Sequence, residues 1–194
     1  MKNKQKALSR EQERILRAQE RAEGNPPPHL VSFSIPELVE SIRKQHFPKL
    51  EDTIAWYFVM RGPLACIRRR ENDGGVCIFV HQILNHADTP VEVMSYVIKH
   101  QLLHTEVPRW AVSWWSDAHP PMFWDWEKKA CPERDRAWDW IWANLSSWLK
   151  RPRKGRMTVR PNWKESWEQT RWTLEECEKI AHHHGGANLG GTGW

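Results

Sequence analysis

The chain lacks the cysteine spacing that would build a zinc ribbon or a disulfide framework. Its 194 residues contain four cysteines, and no two of them form a C-x-x-C pair; they are Cys66, Cys77, Cys131 and Cys177. Zinc ribbons need closely spaced thiolates, and disulfide frameworks are typical of shorter secreted chains. We therefore expect four reduced and mostly buried cysteines.

Long apolar runs are missing as well. The chain has no run of about 18 apolar residues, the length that a membrane-spanning helix requires. It also shows no charged-then-apolar leader followed by a small-residue cleavage site, the pattern of a secretory signal. We expect a cytoplasmic protein without a membrane span.

The excess of positive charge is small, since 29 Lys and Arg oppose 24 Asp and Glu and give a formal net charge of +5. Its distribution is more informative, because one segment is basic and contains no acid. This basic strip consists of Lys150, Arg151, Arg153, Lys154, Arg156 and Arg160. Clustered cations of this kind favour a polyanionic partner such as DNA or RNA.

Composition divides the chain into three regions. Residues 1–30 are predicted to form a charged, flexible N-terminal arm, because Lys, Arg, Glu and Gln dominate and a Gly-Asn-Pro-Pro-Pro run at 24–28 stops any helix. Residues 31–150 are predicted to form the folded domain. Residues 151–194 are predicted to be a basic, tryptophan-containing C-terminal extension.

Helical and strand patterns are mixed within the domain and predict an α+β fold. In chain order they predict a helix over 35–47, strands over 53–60, 65–70 and 76–80, and helices that begin at residue 90, at residue 123 and after residue 132, the last ending at Pro152. We expect the three strands to be antiparallel. The last helix is rich in tryptophan, and the 14 tryptophans of the chain predict a tryptophan-heavy core.

Two histidines on the helix that begins at residue 90 are spaced to bind a metal. His100 and His104 lie one turn apart on the same face, so both imidazoles can reach one ion. They lie among Ile98, Leu102 and Leu103 on the helix, where unpartnered imidazoles would be costly to bury. A catalytic zinc takes a third protein ligand, and His119 is well placed for it, with His81 and His86 as alternatives.

Three segments follow one another along the chain: Cys77-Ile78-Phe79-Val80, then His100-Gln101-Leu102-Leu103-His104, then His119-Pro120-Pro121-Met122-Phe123-Trp124. This order, a strand, a helix with H-E-L-x-H and a later H-x-x-x-F-W, resembles the SprT-like family of zincin-type zinc metallopeptidases over roughly residues 35–149. The resemblance implies a zincin-like α+β fold, in which a short antiparallel sheet packs on the metal-binding helix and Trp-rich helices follow. It also implies zinc held by His100, His104 and His119, with Phe123 packed beneath the site.

The chain departs from that family at Gln101, which replaces the glutamate of the HExxH motif. By resemblance, that glutamate holds the attacking water, takes its proton and passes it to the leaving amine. Glutamine can hold the water but cannot accept a proton, and loss of a general base typically lowers the rate by ~10²–10⁴. Glu106 points about 200° around the helix from His104 and is a poor substitute.

Two explanations for Gln101 stand: a natural non-catalytic relative, or a deliberate Glu→Gln change that traps an active enzyme. The intact ligand set favours the second. The predicted function is a zinc-dependent endopeptidase acting on a protein substrate, inactivated or severely impaired at Gln101. The alternative is a non-catalytic zinc-containing module that binds nucleic acid or protein.

The resemblance implies a C-terminal cysteine zinc ribbon in many relatives, and this chain has none. The basic strip and the tryptophans of the extension stand in its place. They suit phosphate contacts combined with base stacking on DNA or RNA, although a solvated basic loop would look the same. Trp163, Trp167 and Trp172 are alternatively anchors for a protein partner.

Overall fold

The computed structural model of the chain describes residues 30–70, 75–107, 119–150 and 157–183. The α-helices of these ranges are α1 (Ile35–His46), α2 (Val91–Glu106), α3 (Pro121–Ala130), α4 (Arg134–Leu145) and α5 (Leu174–His183). The strands are β1 (Ile54–Val59), β2 (Ala65–Arg69), β3 (Val76–His81), β4 (Leu149–Lys150) and β5 (Thr158–Val159). A mixed α+β architecture is therefore confirmed, and none of the described helices is long and apolar enough to cross a lipid bilayer.

The three-stranded sheet is mixed and has the order β1-β3-β2. β3 pairs antiparallel with β2 and parallel with β1, so the antiparallel prediction was wrong for the β1–β3 pair. β1 and β2 run in opposite directions on the two sides of β3, all six residues of which are buried. Such a strand belongs in the centre of a sheet, and a strand between two oppositely directed neighbours must be parallel to one of them.

α1 begins where the sequence predicts. The Ser34 hydroxyl caps it by accepting a hydrogen bond from the Glu37 backbone N–H at 3.4 Å, and Pro36 occupies its first turn. Val39 and Ile42 are buried on the inner side of this helix. That side packs against α2.

α2 is the central helix of the domain. It contacts α1, α3, α4 and β2, and every residue from position 96 to position 103 is buried. A helix that is buried on all faces has no solvent to hydrate a polar side chain. Polar residues in this stretch, among them Lys99, His100 and Gln101, therefore need partners inside the protein.

α4 is shorter than predicted. It ends at Leu145, and after a 3₁₀ turn at Ser146–Trp148 the chain enters β4, where Leu149 pairs with Val159 of β5. The helical spacing toward Pro152 was misleading because serines favour helix ends and turns, and because β5 offers β4 a partner from later in the chain. The prediction that its tryptophans belong to the core is confirmed for Trp138 and Trp140, which are both buried.

The described part of the C-terminal extension, residues 157–183, packs on the domain. Met157, Trp163, Leu174 and Cys177 are buried in the main core cluster. Arg171 is 5 % exposed, and its guanidinium donates to the Ile83 carbonyl at 2.8 Å and to the Thr89 hydroxyl at 3.0 Å. These contacts attach the extension to the connection that leads into α2.

Arg171→Ala should lower the free energy of unfolding by roughly 2–4 kcal/mol, because the substitution leaves buried acceptors without a charged donor. It also removes the guanidinium from the face of Trp140, 5.6 Å away. Urea denaturation followed by circular dichroism measures the change. Lys164→Ala, at an exposed position of the same segment, is the control and should stay within about 0.5 kcal/mol of the parent. Equal losses in the two variants would contradict the anchoring role.

Candidate metal centre

Two helical faces build the candidate site. Residues at intervals of four share one side of a helix. On α2 this face carries Tyr96, His100 and His104, and on α3 it carries Phe123 and Glu127, with His119 just ahead of the helix. His104 contacts His119, and Tyr96 is hydrogen-bonded to Glu127, so the two faces run antiparallel to each other.

The structure brings the three predicted ligands together. The Nε2 atom of His119 lies 3.1 Å from Nε2 of His100 and 3.2 Å from Nε2 of His104. A tetrahedral ion with metal–nitrogen bonds of about 2.0–2.1 Å separates its ligand atoms by about 3.3 Å. These three nitrogens could therefore hold one metal ion.

Phe123 forms the floor of the cluster. It is fully buried, and its ring centroid lies 5.1, 4.8 and 4.5 Å from those of His100, His104 and His119. The Trp124 ring lies 5.0 Å from that of His119 on the half-exposed side. This aromatic packing limits the rotation of the imidazoles, so the cluster is held in place by the core.

Glu127 is the site residue that the sequence analysis missed. Its Oε1 lies 2.5 Å from Nδ1 of His100, on the side of the ring away from the cluster. Burial works to raise the pKa of the Glu127 carboxyl, but hydrogen bonds from His100 and Tyr96 outweigh it and hold that pKa below its ordinary value. The spacing in the sequence could have indicated it, because Glu127 lies one turn beyond Phe123 on the same face of the helix.

Gln101 lies on α2 between the two histidines and is 3 % exposed. Among the residues that the structure describes, the cluster that could hold a metal contains no carboxylate. Glu106 is exposed at the end of α2, and Glu127 is hydrogen-bonded to Nδ1 of His100, on the side of the ring away from the cluster. Among the described residues, no carboxylate takes the place that the resemblance gives to the general base.

His81 and His86 lie apart from this cluster. The Nδ1 atom of His81 accepts a hydrogen bond from the Ile83 backbone N–H at 3.1 Å, and its ring packs edge-on against Trp163. Burial lowers the pKa of His81 to about 4. His86 Nδ1 accepts from the Asp88 backbone N–H at 3.1 Å. Both histidines have local structural contacts, and neither joins the three-histidine group.

The basic strip is described only at its two ends. Lys150 and Arg160 are exposed, and the Arg160 side chain donates to the Leu149 carbonyl at 3.3 Å. Arg151, Arg153, Lys154 and Arg156 lie outside the described residues, as does the predicted arm up to residue 29. Of the three C-terminal tryptophans named above, Trp163 is in the core and Trp172 is 49 % exposed.

Comparison of the chain with protein-family models, with curated proteins and with solved structures finds no match. The resemblance to SprT-like metallopeptidases therefore stays a prediction from motifs. The chemistry of the three histidines and their surroundings remains as the guide to function.

Proposed function

We propose that the chain is a zinc-binding protein of the SprT-like metallopeptidase type, with His100, His104 and His119 as the zinc ligands. The observation that carries this proposal is that the Nε2 atom of His119, just ahead of α3, lies 3.1 and 3.2 Å from those of His100 and His104 on α2. The donor set supports zinc, since neutral imidazoles are ligands it prefers and three of them leave a fourth position open. An open position is the mark of a catalytic rather than a structural zinc site.

Zinc held by three imidazoles acts as a Lewis acid, which makes water a stronger nucleophile and a peptide carbonyl a better electrophile. Whether the chain can take up the proton of that water depends on the residue at position 101. The Gln101 amide can orient a water molecule through a hydrogen bond but cannot take up its proton. We therefore propose that this chain binds zinc and a peptide substrate but turns the substrate over very slowly.

The decisive experiment is the Gln101→Glu substitution. It is expected to give zinc-dependent cleavage of an unfolded protein, while the parent chain with the same zinc content gives little. Failure of the substituted, zinc-loaded protein to cleave any protein substrate, with or without DNA, would remove the peptidase proposal.

A non-catalytic zinc-containing module that binds nucleic acid is the second candidate. Two observations favour it: glutamine in the position of the base, and the exposure of Lys150 and Arg160 at the described ends of the basic strip. Basic side chains that contact phosphates release counterions, so binding of this kind weakens steeply with salt.

Neutralising Lys150, Arg151, Arg153 and Lys154 to glutamine should weaken binding of a single-stranded oligonucleotide. The logarithm of the association constant falls with the logarithm of the salt concentration, and this fall should become less steep by up to about 3, since each phosphate contact contributes about 0.7. Fluorescence anisotropy over a salt series measures both. The matched control neutralises four exposed lysines elsewhere: Lys128, Lys129, Lys164 and Lys179. Binding that is absent, insensitive to salt or equally reduced in the control rules the strip out.

A further inference from the structure

The Glu127 carboxylate, only 1 % exposed, accepts hydrogen bonds from three side chains. Its Oε1 accepts from the Tyr96 hydroxyl at 3.0 Å and contacts His100 Nδ1 at 2.5 Å, while its Oε2 accepts from Arg134 Nε at 2.8 Å. The Trp138 indole N–H donates to the Tyr96 oxygen at 2.8 Å. The carboxylate is thus fixed from both sides by residues of α2 and α4.

This arrangement decides which nitrogen of His100 carries the proton. An ionised carboxylate can only accept, so the nitrogen that faces it, Nδ1, must be the donor. His100 is fully buried, and the geometry assigns its Nδ1–H to the Glu127 carboxylate. A neutral ring protonated at Nδ1 has its lone pair at Nε2, the atom that faces His119.

We propose that Glu127 is the positioning residue of the metal centre, because its hydrogen bond holds His100 with the Nε2 lone pair directed at the metal position before any metal arrives. The role rests on the proposed metal site and adds to it a residue outside the ligand set. Tyr96 and Arg134 act through Glu127, since they bond the two oxygens that set its orientation. Partners of this kind typically change metal affinity by about 10–100-fold.

A glutamine at position 127 could not reproduce these contacts. With its amide oxygen toward His100 and Tyr96, its NH₂ group would face Arg134 Nε, donor against donor. With the NH₂ group toward His100, the ring would have to move its proton to Nε2, where it blocks the metal. Glu127→Gln therefore loses either the Arg134 contact or the ligand-ready form of His100.

The first test uses the unsubstituted, metal-stripped protein and no variant. Nitrogen-15 NMR of the histidine rings near neutral pH should show His100 protonated at Nδ1 and unprotonated at Nε2. A His100 ring protonated at Nε2 in the folded apo protein would overturn the proposal. This readout does not depend on activity or on zinc.

The second test compares Glu127→Gln and Glu127→Ala with Glu133→Gln. Glu133 is a matched control, because it is also a poorly exposed carboxylate and pairs at 2.9 Å with Lys99, the residue next to His100, without touching a ligand. In competition with a chromophoric zinc chelator, Glu127→Ala should show a zinc affinity reduced about 10–100-fold. The zinc affinity of Glu127→Gln should also be reduced, and that of Glu133→Gln should be nearly unchanged. Equal reductions in the Glu127 variants and the control would mean that loss of a buried carboxylate merely loosens the fold, and the positioning role would be wrong.

The two proposals can fail separately. If the parent chain binds no zinc, the peptidase proposal fails and the metal role of Glu127 fails with it, while the ring tautomer still tests its hydrogen bond to His100. If the parent binds zinc and the Glu127 variants bind it equally well, the positioning role fails and the zinc site stands. Thermal unfolding of the apo variants confirms that each is folded at the temperature of the measurement.

Discussion

Gln101→Glu should raise the rate of zinc-dependent proteolysis by ~10²–10⁴ or more, because it supplies a base that can take a proton and return it to the leaving amine. The parent side chain is 3 % exposed and flanked on α2 by two of the proposed ligands. Glutamate has nearly the same shape as glutamine, so the packing of α2 should change little. The gain is therefore expected in turnover and not in folding.

The measurement is the zinc-dependent cleavage of an unfolded protein such as casein, with the parent and the variant loaded to equal zinc content. Chelator should abolish the activity and added zinc should restore it. Glu106→Gln in the Gln101→Glu background is the matched control, since it removes an exposed carboxylate from the end of the same helix. Its activity should equal that of Gln101→Glu.

A contrary outcome is equally clear. If Glu106→Gln abolishes the activity gained at position 101, a glutamate at position 101 is not sufficient and Glu106 takes part in proton transfer. If Gln101→Glu has no activity but keeps stoichiometric zinc, the chain is a binding module.

The parts of the fold that the sequence predicted well depend on local signals. Ser34 and Pro36 mark the start of α1 through capping and a preset backbone angle, and both act within one turn. His100 and His104 are brought together by the period of one helix. His119 is more distant, and its position beside them was predicted from its place ahead of the next helix and from the resemblance.

The parts that were missed depend on contacts between distant segments. The parallel pairing of β1 with β3 follows from the position of β3 between two oppositely directed strands, which local strand patterns do not reveal. β4 was read as helix because its partner, β5, comes later in the chain. Glu127 resembles any surface glutamate of an amphipathic helix until α3 is placed against α2 and its carboxylate meets His100.

His119→Ala should reduce zinc affinity by roughly 10²–10³-fold. Structural zinc sites bind with about 10–16 kcal/mol, so each of their four ligands contributes about 2.5–4 kcal/mol on average. His119 is the best ligand to remove, because it is half-buried and precedes α3, whereas His100 is fully buried and bonded to Glu127. The fold should therefore tolerate its loss better than the loss of His100.

Zinc content after dialysis, measured by mass spectrometry, and the zinc-induced rise in the unfolding temperature should both fall in this variant. Zinc stabilises the folded chain by binding to it, so the rise in the unfolding temperature reports the affinity of the chain for zinc. His86→Ala is the matched control, a half-buried histidine outside the three-histidine group, and it should keep full zinc content. Full zinc in His119→Ala combined with loss in His86→Ala would make His86 the third ligand and contradict the assignment of His119.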